Sequence, residues 1–233
     1  MITEDSFIDS KCPHCGDAVS FPQEYAGQVQ ACPICSADLI VPSHGAETGQ
    51  RVPLPIETAR LVLRRLHAND WKDLLELMSV EELFTYTDAQ PMGEEQVLQW
   101  LEHDAHVKLS TAGQALYLGM ALREPSTLIG LVALRLIDPD RLQATVNVYV
   151  NRSFQRKGFA SEALGAVLGF CFGVIHLHRV SATCESRDVA GCKLLEKTGL
   201  RREGEFVKDK LAGDEWVNTA CYAMLEEEHK KAR

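Results

Sequence analysis

Apolar and polar positions along the chain fall into two kinds of stretch. "RLVLRRL" (60–66), "ALYLGMALR" (115–123), "TLIGLVALRLI" (127–137) and "LQATVNVYV" (142–150) are short, rich in branched and aromatic residues, and bounded by turn formers. That is the pattern of strands. The last three are joined by "EPS" and "DPDR" and predict an antiparallel meander. Other stretches repeat with helical period. "NDWKDLLELM" (69–78) opens on Asn69 or Asp70 as N-cap and puts Trp71, Leu74, Leu75 and Met78 on one face. "GEEQVLQWLEHDAHVKLS" (93–110) does the same with Val97, Leu98, Leu101 and Ala105. From Phe159 to about Val174, Ala160, Ala163, Leu164, Val167, Leu168, Cys171 and Phe172 cover so wide a face that the helix must be largely buried.

Beyond it, "HRVSATC" (178–184) reads as a strand and "DVAGCKLLEKTGL" (188–200) as a helix closed by Gly199. "RREGEFV" (201–207) and "EWVNTACYAML" (215–225) form a hairpin over a loop, "KDKLAGDE" (208–215). The order is β-α-α-β-β-β-α-β-α-β-β. A right-handed crossover lays "HRVSATC" parallel to "TVNVYV". The fold expected is α/β with segregated parts: a mixed, mostly antiparallel sheet with flanking helices.

The first fifty residues lack this alternation. They carry "CPHC" and "CPIC", that is Cys12, Cys15, Cys32 and Cys35, with sixteen residues between the pairs. The spacing is that of a four-thiolate zinc site. Few large apolar residues lie nearby, so burial alone cannot fold the segment, and zinc binding at roughly 10–16 kcal/mol can. A redox dithiol wants a βαβ setting that is missing here, and structural disulfides are rare in a cytosolic chain. His14 and His44 read as solvated loop residues. A Gly- and Pro-rich stretch follows. The expected division is a zinc ribbon at 1–42, a linker at 43–56, the main domain at 57–228 and a tail at 229–233.

Charge narrows the partners. Net charge is −9, and residues 1–50 hold seven acidic side chains against Lys11 alone, or −6. Nucleic-acid binding draws on Lys and Arg to displace counterions, so it is disfavoured. Amines or basic proteins suit this surface better. No apolar run approaches the roughly 20 residues of a membrane span. The N-terminus is acidic and has no apolar h-region, so a cytoplasmic location is expected. Composition leaves the oligomeric state open.

One junction carries chemistry. In "NVYVNRSFQRKGFASEAL" (147–164) a strand ends in Gln155-Arg156-Lys157-Gly158 and a helix starts at once. Helix N-termini offer unpaired N–H groups, and Gly158 allows close backbone approach, so the turn can take a phosphate. A basic turn that merely caps a helix is the plainer alternative. Neither a Rossmann fingerprint nor a P-loop is present.

The run Gln155-Arg156-Lys157-Gly158-Phe159-Ala160 resembles the Q/R-x-x-G-x-G/A signature of the GNAT superfamily of acetyl-CoA-dependent N-acetyltransferases. "ETARLVLRRL", "GFASEAL", "LHRVSATCESRDVAGCKLLEKTGL" and "DEWVNTACYAML" resemble further segments of it, in order. The ribosomal-protein N-terminal acetyltransferase subgroup, the RimJ/RimL type, is the nearest likeness, over about residues 56–228. The N-terminal segment resembles short bacterial zinc ribbons. The GNAT resemblance implies a splayed strand pair, with acetyl-CoA's pyrophosphate on the amides of residues 155–160 and its pantetheine arm paired with the backbone of Val148 and Val150. It implies an amine acceptor, most simply a protein or peptide N-terminus.

The pattern also departs from the subgroup. Where Asn-x-x-Ser is usual, Asp188 and Gly191 stand, and the acid implied by that Ser is missing. Cys192 reads as core. Asp188 is the acidic residue to watch, as a positioning group or a cap, and Tyr222 is a candidate that also reads as strand packing. "TVNVYV" has no carboxylate to act as base. A lysine amine, with pKa ~10.4, costs about 3.5 kcal/mol more to deprotonate at pH 7 than an α-amine at ~7.7–8.0. The α-amine is therefore the better-matched acceptor. A catalytically weak acetyl-CoA sensor, with the ribbon as its effector arm, is the competing reading.

Overall fold

A computed structural model of the chain describes residues 7–42, 50–81, 90–104, 107, 113, 115–138, 142–212 and 214–231. Its helices are α1 (Trp71–Met78), α2 (Glu94–Asp104), α3 (Phe159–Gly173), α4 (Val189–Lys197) and α5 (Glu226–Lys231). The last turns expected of the second helix fall mostly outside the described residues.

Two small β units precede the main sheet. β1 (Phe7–Lys11) and β2 (Ala18–Pro22) form a hairpin, and β3 (Val29–Ala31), β4 (Asp38–Ile40) and β5 (Gln50–Arg51) a three-stranded sheet. Residues 50–51, read from the sequence as linker, are thus a strand paired with β4.

The main sheet contains β6 (Ile56–Glu57), β7 (Leu61–Arg65), β8 (Ala115–Leu122), β9 (Leu128–Asp138), β10 (Gln143–Val150), β11 (Arg179–Glu185), β12 (Arg201–Ala212) and β13 (Glu215–Leu225). Their spatial order is β12-β13-β11-β10-β9-β8-β7-β6. All neighbours are antiparallel except β10 and β11.

The period-2 alternation of the strands sorts their side chains onto two faces. Val132, Leu134, Val146 and Val150 pack toward α3, whose Ala163, Leu164, Val167, Leu168 and Cys171 are buried as the sequence pattern requires. Leu128 and Leu131 pack on the opposite face under α1 and α2, with Leu74, Leu77 and Leu101. Val148 leans on the first cluster and Tyr149 on the second, as neighbours in a strand must.

The N-terminal β units keep a small core of Cys12, Val19, Phe21, Cys32, Leu39 and Val41. Val29 and Ile40 instead join the main cluster. The Arg65 guanidinium of β7 lies 3.7 Å from Asp38 of β4.

The stretch from Lys208, expected as a loop, continues β12 to Ala212. Its register shifts between Phe206 and Lys210, and Lys208 takes φ 49°. The Lys208 amide donates to Asn218 Oδ1 at 2.9 Å, and Asn218 Nδ2 donates to Glu205 at 2.6 Å. That side chain gives the Lys208 amide a partner where the register shifts, and the polar run pairs again from Lys210 to Ala212.

Candidate active site

β10 and β11 are hydrogen-bonded only where Gln143, Ala144 and Thr145 face Arg179, Val180 and Ser181. Beyond that point β10 stays paired with β9 as far as Val150↔Gly130, and β11 with β13 as far as Glu185↔Thr219. The two parallel strands therefore part. Residues 146–150 of β10, including Val148 and Val150, present a backbone edge with no strand beside it among the described residues.

Four residues on from the last paired level, Thr145↔Ser181, β10 reaches Tyr149 and β11 reaches Glu185, followed by Val150 and Ser186. Glu185 is 3% exposed. The Arg187 guanidinium holds its Oε1, while Oε2 has no partner among the described residues, nor does the buried Ser186 Oγ. Unmet buried oxygens at the mouth of a strand gap fit a polar ligand there.

β10 runs out into a short turn and then α3. Gln155 Nε2 donates to the Val150 carbonyl at 2.9 Å and pins the end of the strand. Arg156 and Gly158 both have positive φ, 58° and 85°, and Gly158 is the N-cap of α3. A cap without a side chain gives the helix amides no internal acceptor. The first hydrogen bond into the helix comes from Glu162 N to Gly158 O, at 3.1 Å. The amides of Phe159, Ala160 and Ser161 precede it, so the turn presents the N–H cluster that binds anions.

Lys157 Nζ is drawn back to the Ser153 carbonyl at 2.8 Å. The exposed Arg156 has no such tether among the described residues.

A brace that sequence reasoning missed holds this turn. Arg60, just before β7, stacks 4.3 Å over the Phe159 ring and donates to Lys157 O at 3.0 Å. Its Nε meets Glu162 Oε2 at 2.7 Å, its own amide meets Glu162 Oε1 at 2.8 Å, and the Thr58 hydroxyl adds a third bond at 2.6 Å. Burial raises the Glu162 pKa, but these donors outweigh it, and the net shift is downward. No local motif connects residues about a hundred positions apart, so the pattern gave no cue.

The two residues singled out for catalysis are both engaged. Asp188 is the N-cap of α4 and accepts from Gly191 N at 2.8 Å. Tyr222 is 1% exposed within the α3-side core, and its hydroxyl donates to Glu196 at 3.2 Å. Burial first, then Cys192 and Glu196, raise its pKa, so it remains a phenol. Cys192 packs half-buried with its Sγ 3.1 Å from that of Cys184 on β11.

In the N-terminal unit the four sulfurs of Cys12, Cys15, Cys32 and Cys35 lie within 4.8 Å of one another. Sγ of Cys12 is 3.7 Å from that of Cys35, and Cys15 is 4.0 Å from Cys32. Four ligands at ~2.3 Å around a tetrahedral zinc stand about 3.8 Å apart, so the donor set fits that ion. Amides of His14 and Ile34 point at Sγ of Cys12 and Cys32, both at 3.4 Å. Burial raises the Cys32 pKa, yet the amides of Cys35 and Ile34 bring it down to about 7.

Residues 60–201 match the family described as the acetyltransferase (GNAT) domain. The chain belongs to the GNAT acetyltransferase family. Among curated relatives, the uncharacterized N-acetyltransferase YnaD of Bacillus subtilis is 32% identical over 173 residues, covering 74% of this chain and 98% of that protein. A GNAT-family acetyltransferase from Bacillus anthracis superposes with TM-score 0.68 at 28% identity, over 75% of this chain and 99% of the other. RimL, a ribosomal L7/L12 alpha-N-protein acetyltransferase in complex with coenzyme A, superposes with TM-score 0.65 at 17% identity, over 73% and 97%. At that identity the last likeness concerns the fold. The GNAT match begins at Arg60, beyond the cysteine cluster. The protein is thus an acetyltransferase of a family that uses acetyl-CoA. Among the described residues no helix is long and apolar enough to cross a membrane.

Proposed function

We propose that this GNAT enzyme transfers acetyl from acetyl-CoA to the N-terminal α-amine of a protein or peptide, and that its N-terminal ribbon holds one structural Zn²⁺ on Cys12, Cys15, Cys32 and Cys35. The observation that carries the reading is the parting of β10 and β11 directly before the amide-rich turn. The free edge at Val148 and Val150 binds the pantetheine arm. The amides from Gln155 to Ala160 take the pyrophosphate, with Arg156 and Lys157 as its cations. Acetyl-CoA supplies the activated acyl group, and every other requirement falls on side chains of this chain.

An α-amine has a pKa of ~7.7–8.0, so a weak base suffices to free it. Glu185, four residues beyond the last β10–β11 pair and with Oε2 lacking a partner among the described residues, is the carboxylate we assign to that task. Tyr222 keeps its proton and serves as a donor rather than a base. Asp188 positions α4 as its cap.

Free thiol released from acetyl-CoA, measured with a panel of peptides, tests the proposal. N-terminally free peptides should turn over, and N-terminally blocked ones carrying lysine should not. Glu185→Gln should lower kcat about 100-fold while coenzyme A binding is kept. Faster reaction at lysine side chains than at N-termini would remove the α-amine from the reading.

A further inference from the structure

A cavity of about 410 Å³ lies on the face of the sheet covered by α1 and α2. Trp100, Tyr117, Leu131 and Tyr149 form its walls, and Asp104 and Arg135 bring charge to it. The volume is that of a small-ligand or side-chain site. Its aromatic lining is ordered: the Trp100 and Tyr117 rings meet edge-on, centroids 4.6 Å apart.

Asp104 is the unusual member. It ends α2, is 1% exposed, and its Oδ1 has no hydrogen-bond partner among the described residues. A buried carboxylate oxygen left unpaired is costly unless something else completes it.

The nearby cations do not. Arg65 contributes a field, but its guanidinium bonds to Val107 O at 2.7 Å and stands by Asp38 at 3.7 Å. Arg135 is exposed and sits at the rim, suited to a carbonyl or carboxylate. Burial raises the pKa of Asp104 to about 6, opposed by Arg65, the Tyr117 amide and His103. The group is therefore an anion under neutral conditions. A carboxylate beneath aromatic walls is the chemistry that holds an alkylammonium or guanidinium on an apolar stem.

The cavity also has a definite relation to the gap. Tyr149 belongs to both: its backbone is part of the free edge of β10, and its side chain is part of the wall.

Resting on the preceding proposal, we infer that this cavity receives a basic side chain of the acceptor, so that the enzyme prefers peptides carrying lysine or arginine at the first or second position, with Asp104 as the residue that reads the charge. The α-amine then lies at the gap beside Glu185, the cation enters the cavity, and the peptide carbonyls pass Arg135. Asp104 acts on specificity and takes no part in bond making.

The test compares free-N-terminus peptides identical except for lysine, norleucine or glutamate at the first or second position, together with a 1,5-diaminoalkane. With the wild-type enzyme, kcat/KM for the lysine peptide should exceed that for norleucine by on the order of 10-fold, mostly through KM, with glutamate lowest. Asp104→Asn should erase the lysine advantage and leave the norleucine peptide unchanged, a pattern that a merely structural role cannot produce.

Equal rates for lysine and norleucine in the wild type would overturn the inference while peptide acetylation stood, and this needs no variant to fold. Asp104→Asn lowering both peptides alike would also overturn it. Asp104-dependent turnover of the diamine with none of any peptide would support the cation pocket and sink the peptide acceptor instead.

Discussion

Asp188 occupies the space that a side chain on Gly191 would need. A Cβ at position 191 would fall 2.3 Å from Asp188 Oδ2, and that carboxylate is held in place by the Gly191 amide itself. The departures from the subgroup's Asn-x-x-Ser at these two positions are thus one coupled change. Gly191→Ser is expected to push Asp188 off its cap and cost about 1 kcal/mol. In the Asp188→Ala background the same substitution should cost nothing further, since the obstacle is gone. Urea unfolding of the single and double variants checks this, and additive costs would refute the coupling.

The turn before α3 makes a second expectation. Gly158 sits at φ 85°, where a branched residue is strained by about 1–2 kcal/mol, and a Cβ there would meet Arg60 Nη2 at 3.3 Å. Gly158→Val should weaken coenzyme A binding about 10-fold or more. Arg156→Glu should weaken it similarly, with the loss shrinking at high salt, because the contact is exposed. Calorimetric titration of coenzyme A at two ionic strengths reads both effects.

Arg60 and Glu162 carry a pH dependence. The Glu162 pKa lies below its ordinary 4.5 in the folded protein, so its bonds stabilise the fold above that value and are lost as pH falls through the folded one. Glu162→Gln should destabilise at pH 7 by about 1 kcal/mol, allowing for partial exposure. The deficit should vanish in acid. Thermal melts between pH 7 and pH 3 measure it.

Asp104 has the opposite sign. Its pKa rises from 3.8 to about 6 on folding, so the folded state takes up a proton between these values and stability declines as pH climbs through them. Asp104→Asn should therefore be more stable than wild type at pH 7.5, by roughly 2–3 kcal/mol, with little difference near pH 4. Preference for a cationic acceptor should fade in parallel below about pH 6. Arg65, His103, Arg135, Tyr117 and Tyr149 surround the group, and His103 is the imidazole among them. The His103→Gln variant separates its share. A residue kept charged at such a cost to the fold is more readily explained by function than by packing.

For the ribbon, metal analysis should find one zinc per chain, reduced by Cys12→Ser or Cys32→Ser. Chelation should unfold residues 7–42 before the remainder, seen as early loss of amide protection there. Retention of protection after complete zinc removal would show that packing through Val29 and Ile40 suffices.

How far the sequence spoke depended on the range of the interaction. Strand alternation in 115–150, the buried face of α3 and the spacing of the four cysteines are local patterns, and all three could be read directly. The parting of β10 and β11 was implied only by family likeness, because a missing hydrogen bond leaves no mark on the residues that lack it. The Thr58–Arg60–Glu162 brace, and the buried Asp104 and Glu185, arise from segments far apart in the chain. As letters they are ordinary charges, and only the assembled fold leaves one oxygen of Asp104 and one of Glu185 without a partner among the described residues. The continuation of β12 past Lys208 was hidden for a similar reason, its open amide being met by Asn218.

The brevity of pairing between β10 and β11 has one more consequence. The eight-stranded sheet is two panels joined along a seam only three residue pairs long. Anything that bonds to both lips of that seam becomes part of the architecture. Cofactor occupancy should therefore register as mechanical stiffening, with slower amide exchange in β11 and β13, well beyond the residues the cofactor touches.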